Sequence, residues 1–219
     1  MKFELAIFDM DGVLVDSEVH WAAAGPQIWD KLGIKYTKDI ERGILGLNVR
    51  DSTKFINAKY GYKIAIRDAR QVYKSFRKLI YTERSQLLPG VMALIDELKK
   101  NKVKIALASG ASFESIERVM DKHNMHNYFE VKFSTADMRF PGKPDPAIYN
   151  AVMRKFKVSP RQTAIFEDAL PGVQSGKASG AKVIAIPHNI SKHNDFSIAD
   201  LVVKSLADNK VYKFLGLKI

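Results

Sequence analysis

Two aspartates separated by one residue close the first apolar run of the chain. Leu5-Ala6-Ile7-Phe8 stops at Asp9, and Met10, Asp11 and Gly12 follow. Such a run reads as a buried strand delivering its end into a polar site. Two close carboxylates repel each other and lose hydration, so they require a cation or a retained proton. Gly12 lets the chain turn with positive φ. The same Asp-Gly pair also fits a plain Asx-type turn, so the stretch does not decide the matter alone.

Three later stretches share the pattern of an apolar run ending in polar residues or a pinned loop. Ser109-Gly110-Ala111-Ser112 follows the run 103–108 and precedes a helical pattern. A hydroxyl, small residues and a helix N-terminus can cradle an anion, although the same residues also make an ordinary N-cap turn. Lys143 sits in Phe140-Pro141-Gly142-Lys143-Pro144-Asp145-Pro146. Its prolines restrain the loop, and Pro144 favours an extended Lys143 able to aim its ammonium at an anion. Glu167-Asp168 closes the run 162–166. Four carboxylates gathered at one edge would need a hard cation. Mg²⁺ prefers oxygen ligands and bridges to phosphate, while the lack of a His/Cys cluster argues against zinc. On this reading Asp9 is the nucleophile and Asp11 the acid/base. Ser109, Gly110 and Lys143 bind the oxygens of a transferred phosphoryl group.

The elements that must position these residues alternate. Strands are expected over 5–8, 103–108, 129–133, 162–166, 183–186 and 201–203. Helices are expected over 91–100, 113–123, 147–156 (with Asp145 as N-cap and Pro146 at its first position), 171–179 and 207–215. That alternation implies an α/β fold with a parallel sheet covered on both faces, its ligands at the carboxyl ends of the strands. Residues 17–84 interrupt it with an all-helical stretch. Helices are expected over 19–32, with Pro26 kinking or splitting it, over 50–60 and over 64–81. Trp21 and Trp29 are assigned to the core, and Asp16 and Ser17 to the cap of the first helix. The chain thus divides into a core of residues 1–16 and 85–219 and an inserted helical domain, 17–84.

Composition sets outer bounds. The 219 residues are 46% hydrophobic and 27% charged, with no cysteine, which suits a reducing cytoplasm. No secretory signal is expected, and the apolar runs are strand-sized, so no membrane span is expected. The net charge is +11, and residues 17–84 hold 14 basic against 7 acidic residues. These charges are scattered singly, as on solvated helix faces, and no nucleic-acid partner is expected.

Together, Asp9-Met10-Asp11-Gly12-Val13-Leu14-Val15-Asp16-Ser17, Ser109, Lys143 and Glu167-Asp168 resemble the four motifs of the haloacid dehalogenase superfamily of phosphohydrolases. The helical insert is similar to the cap of its subgroup of β-phosphoglucomutases and sugar-phosphate phosphatases. The resemblance implies a Rossmann-like core, Mg²⁺ held by Asp9, the Asp11 backbone carbonyl, Asp168 and Glu167, and an aspartyl-phosphate intermediate. The substrate would be a small phosphorylated metabolite, such as a sugar or polyol phosphate. Asp11 speaks against dehalogenation, because the dehalogenases lack it. Ala169 departs from the Ser often found there. Within the cap, Arg50 in Gly46-Leu47-Asn48-Val49-Arg50-Asp51 is a candidate for substrate phosphate or hydroxyls, or a surface partner of Asp51. His20 and Lys74 are the residues that a phosphomutase, the alternative activity, would use; His20 also fits a hinge or core histidine. A phosphoacceptor resembling response-regulator receivers would need no cap.

Overall fold

The computed structural model describes residues 3–218. Six strands form one parallel sheet: β1 (Leu5–Phe8), β2 (Lys104–Ser109), β3 (Val131–Ser134), β4 (Thr163–Glu167), β5 (Lys182–Ala185) and β6 (Leu201–Val202), in the order β3-β2-β1-β4-β5-β6. β1 lies between β2 and β4, with Phe8 level with Leu107 and Phe166. Chain order reverses between β1 and β4, and a crevice opens at such a reversal. Asp9 leaves the end of β1 there, while Glu167 ends β4 and Asp168 follows it.

The central strands β1, β2 and β4 are apolar between their ends because both faces are covered. Phe8, Leu107 and Phe166 point into one core layer, with Leu94, Leu98, Ile116 and Val119. These last four come from α5 (Val91–Lys100) and α6 (Phe113–His123). Ile7, Ala106, Ile165 and Val183 point into the other, against Ile148, Tyr149 and Val152 of α7 (Ala147–Phe156). Phe8 and Phe166 stack with ring centroids 4.3 Å apart. Such a pair adds about 0.5–1.5 kcal/mol beyond its buried area, directly beneath the polar edge. α8 (Leu170–Ala178) and α9 (Asn209–Leu215) complete the helices around the sheet.

Between β1 and α5 the chain is helical: α1 (Ser17–Asp30), α2 (Lys38–Ile44), α3 (Val49–Tyr60), α4 (Ile66–Arg77) and a π-helical segment, Lys78–Arg84. This is the helical cap on a Rossmann-like core. α2 has no counterpart among the helices expected from the sequence; Thr37 caps it by accepting from the Ile40 N–H. α1 runs unbroken through Pro26. Buried Ile28 and Trp29, in the turn that follows, anchor it across the missing N–H. The expected single helix 64–81 is α4 followed by the π segment, whose wider turn buries the adjacent Ile80 and Tyr81. In α7 the first helical residue is Ala147, and the Asp145 carboxylate accepts from its N–H at 2.8 Å.

Two chain segments join cap to core, side by side. The Asp16 N–H donates to Gln86 O at 3.0 Å, and the Leu88 N–H to Leu14 O at 2.9 Å. Asp16 therefore does not cap α1. Its carboxylate accepts from the Gln86 N–H at 2.6 Å, fastening one connection to the other.

Candidate active site

The end of β1 places Asp9 where a carboxylate has little access to water, with its N–H held by Phe166 O at 3.0 Å. Carboxylate oxygens of Asp9, Glu167 and Asp168 lie within 4.8 Å of one another, all buried. Lys143 reaches into this group from its proline-rich loop. Its ammonium donates to Asp9 Oδ1 at 2.6 Å, Glu167 Oε1 at 2.5 Å and the Ala108 carbonyl at 3.2 Å. One ammonium cannot balance three acids. Burial, and then the charges of Glu167, Asp168 and Asp11, push the Asp9 carboxyl well above its usual range, against the pull of Lys143. Burial and Glu167 do the same to Asp168. Burial alone would lower the Lys143 pKa, but Asp9 and Glu167 outweigh it, so the lysine stays charged.

This residual negative charge, carried by oxygen donors alone, fits a hard divalent cation. Glu167 is fixed in place: the Tyr149 hydroxyl donates to Oε1, and a Cβ on Gly172 would collide with its carboxylate. Asp11 stands apart from the three. Ser17, expected as a helix cap, instead donates its hydroxyl to Asp11 Oδ1. Burial raises the Asp11 pKa, while the hydroxyls of Ser17 and Tyr81 oppose the rise. Tyr81 comes from the π segment. The Trp21 indole N–H donates to its oxygen at 3.1 Å, leaving the hydroxyl proton for Asp11.

Residues 6–186 match the model of the haloacid dehalogenase-like hydrolases. The chain belongs to this family. It is 30% identical to a phosphorylated carbohydrates phosphatase of Thermotoga maritima, over 86% of this chain and 87% of that one. It is 27% identical to hexitol phosphatase B of Escherichia coli, over 96% of each. In structure it is similar to CbbY from Rhodobacter sphaeroides in complex with phosphate. That match has a TM-score of 0.82 and 23% identity, over 94% of this chain and 96% of that one.

In this member of the hydrolase family the acids face a cavity of about 220 Å³ whose opposite wall is the cap. Asp9, Asp11, Gly110, Lys143, Glu167 and Asp168 line it, as does Arg50. Arg50 is held from both sides: Nε donates to Asp51 Oδ1 at 3.2 Å and Nη2 to the Phe140 carbonyl at 3.3 Å, so both readings of it have a basis. Ser109 is fully buried and does not line the cavity; its Oγ accepts from the Ala111 N–H at 3.0 Å. The helix N-terminus beyond it is also occupied. Asp137 accepts from the Phe113 N–H at 2.6 Å and Ser112 from the Ser115 N–H at 3.3 Å. Gly110, Ala111 and Ser112 of this turn line the cavity.

Two cap candidates lie off the cavity. His20 is not on its lining; its Nε2 is 3.7 Å from Asp16 Oδ1, beside the junction of cap and core. Lys74 is exposed, with its ammonium 3.9 Å from Glu114. Arg70 and Arg77, from the same helix, line the cavity instead. Trp21, assigned to the core from sequence, is cavity wall, stacked on Tyr73 at 5.3 Å. Glu18 was missed altogether. It follows Ser17 in the first turn of α1 and lines the cavity, and burial with Asp168 and Asp11 raises its pKa well above normal. Its place directly after the first motif was the available signal. Asn48 was missed too. It caps α3 and donates to Asp51 at 2.8 Å and Thr135 at 3.3 Å, linking cap loop to core.

Proposed function

We propose that the protein is a Mg²⁺-dependent phosphatase of a small phosphorylated metabolite, a sugar or polyol phosphate, working through an aspartyl-phosphate. The observation that carries this reading is the placement of Asp9 within one buried carboxylate group while Asp11, kept apart on Ser17, stands at the same cavity. Asp9, Asp168 and Glu167, with the Asp11 backbone carbonyl, would hold the ion. Bound there, Mg²⁺ would draw charge from the phosphoryl oxygens and ease attack by an anion.

The remaining steps belong to the chain. With Lys143 on Oδ1, the other Asp9 oxygen attacks phosphorus as the bond to the leaving oxygen breaks. Burial raises the Asp11 pKa and so favours its acid form, from which Asp11 passes a proton to that leaving oxygen. The resulting Asp11 carboxylate then takes a proton from a water molecule that attacks the aspartyl-phosphate. Phosphate leaves, and both aspartates return to their starting states. Residues 17–84 act as the cap domain that closes the cavity to bulk water.

Glu18, Asn48 and Arg50 offer hydroxyl-binding and anion-binding groups, and Trp21 and Tyr73 offer flat faces for a carbon skeleton. The named activities of the relatives, on phosphorylated carbohydrates and hexitols, support the same class. The phosphomutase alternative gains no support from His20 and Lys74, which lie away from the cavity lining. The test is phosphate release from a panel of hexose, hexitol and pentitol phosphates with Mg²⁺ and with EDTA. Turnover is expected with the metal, and Asp9→Asn is expected to remove it by about three orders of magnitude or more. Undiminished turnover by Asp9→Asn rules out Asp9 as nucleophile.

A further inference from the structure

Asp168 is held by a residue from outside the four motif stretches. The loop after β5 carries His188, whose Nε2 lies 2.6 Å from Asp168 Oδ2. On the far side of the ring, the Ile190 N–H donates to Nδ1 at 3.3 Å. A ring nitrogen that accepts a hydrogen bond carries no proton, so Nε2 bears the hydrogen and donates it to the carboxylate.

The loop is built to keep this ring still. The His188 N–H donates to Ser191 Oγ at 3.0 Å. The Ser191 and Lys192 N–H groups donate to the His188 carbonyl at 3.0 and 2.9 Å. Ser191 is fully buried, and Phe196 anchors the loop in the core layer that holds Ile148, Tyr149 and Val152. Gly12 approaches the same carboxylate so closely that a Cβ there would overlap Oδ2. Imidazole and glycine backbone together hold the Asp168 rotamer.

The chemistry of the holder matters as much as its position. Asp9 and Glu167 share the Lys143 ammonium, whereas the partner of Asp168 is a neutral ring. A neutral donor orients a carboxylate without cancelling its charge, and without repelling a divalent ion as lysine or arginine would. We propose that His188 is a positioning residue that holds Asp168 ready as a metal ligand and so sets the affinity for the divalent cation. This rests on the reading of Asp168 as a ligand.

Mg²⁺ titrations of the full chain by calorimetry test it, with wild type, His188→Ala, His188→Gln and Asp168→Asn compared. His188→Ala is expected to bind Mg²⁺ about 10- to 100-fold more weakly. His188→Gln keeps an N–H donor and is expected to stay close to wild type. With Mg²⁺ saturating, the kcat of the alanine variant is expected to match wild type, its defect lying in the Mg²⁺ concentration that gives half-maximal rate. If the alanine variant does not fold, His188→Asn, too short to reach Oδ2, takes its place. A folded alanine or asparagine variant that binds Mg²⁺ within about twofold of wild type overturns the proposal. A glutamine variant as weak as alanine also overturns it. If Asp168→Asn binds Mg²⁺ as wild type does, the metal reading of Asp168 itself fails, which is a different result.

Discussion

Lys143 carries two burdens at the scale of single residues. It compensates Asp9 and Glu167 where water cannot, and in the proposed mechanism it also meets the transferred phosphoryl group. Removing one partner from a buried charge group leaves the others uncompensated, which costs about 3–5 kcal/mol. Lys143→Met is therefore expected to lower stability by that order at neutral pH, measured by urea unfolding. The loss is expected to shrink as pH is lowered, because the raised Asp9 pKa lets it take up a proton more readily; a loss that does not change with pH would contradict this electrostatic account. Ser17 is a finer control. Its hydroxyl opposes the upward push of burial on Asp11, so Ser17→Ala is expected to raise that pKa. The limb of the pH–rate profile that reports Asp11 should then move to higher pH, and an unmoved limb would detach Ser17 from the proton transfers.

Individual elements show why the acids can be this close. β4 ends in Glu167, and α8 starts three residues later with Gly172 against the Glu167 carboxylate. That carboxylate has no room to yield, being held by Lys143 and Tyr149. Gly172→Ala is expected to cost about 1–3 kcal/mol by overpacking and to weaken Mg²⁺ binding, read by thermal melts with and without the ion. A melt unchanged from wild type would mean that α8 shifts freely, against the packing described. The π segment works similarly: its widened turn supplies Tyr81 to Asp11, so a cap element takes part in the environment of a core acid.

Over the whole molecule, the carboxyls gathered at the sheet edge set how stability responds to pH. Asp9, Asp11, Glu18 and Asp168 all have pKa values raised by burial in the folded state. A group that binds its proton more tightly when folded favours folding at low pH and loses that contribution as pH rises through the raised value. The metal-free protein is therefore expected to lose stability as pH climbs from about 4. Mg²⁺, which under the proposed function would bind the ionised acids of the folded state, is expected to raise Tm more at pH 8 than at pH 5. Equal Mg²⁺ shifts at the two values would sink the claim that these acids are ionised together only at the cost of stability. Among the described residues no helix is long and apolar enough to cross a membrane.

The sequence by itself determined the alternation of strands and helices, the polar residues that end β1, β2 and β4, and the helical interruption after β1. These are local facts, because hydrophobic period, glycine, proline and short-range spacing are written along the chain. It also sufficed to single out Asp9, Asp11, Lys143, Glu167 and Asp168, since each follows a strand or sits in a pinned loop. What only the tertiary structure decided is which groups meet. Ser109 turned inward to its own loop, His20 and Lys74 fell outside the cavity, Trp21 and Glu18 came to line it, and His188 met Asp168. A lone histidine in a polar loop has no periodic signature, and a helix face acquires its meaning from what is packed against it. The physical reason is that contacts between distant segments depend on how layers stack and turns aim, which no window of neighbouring residues encodes.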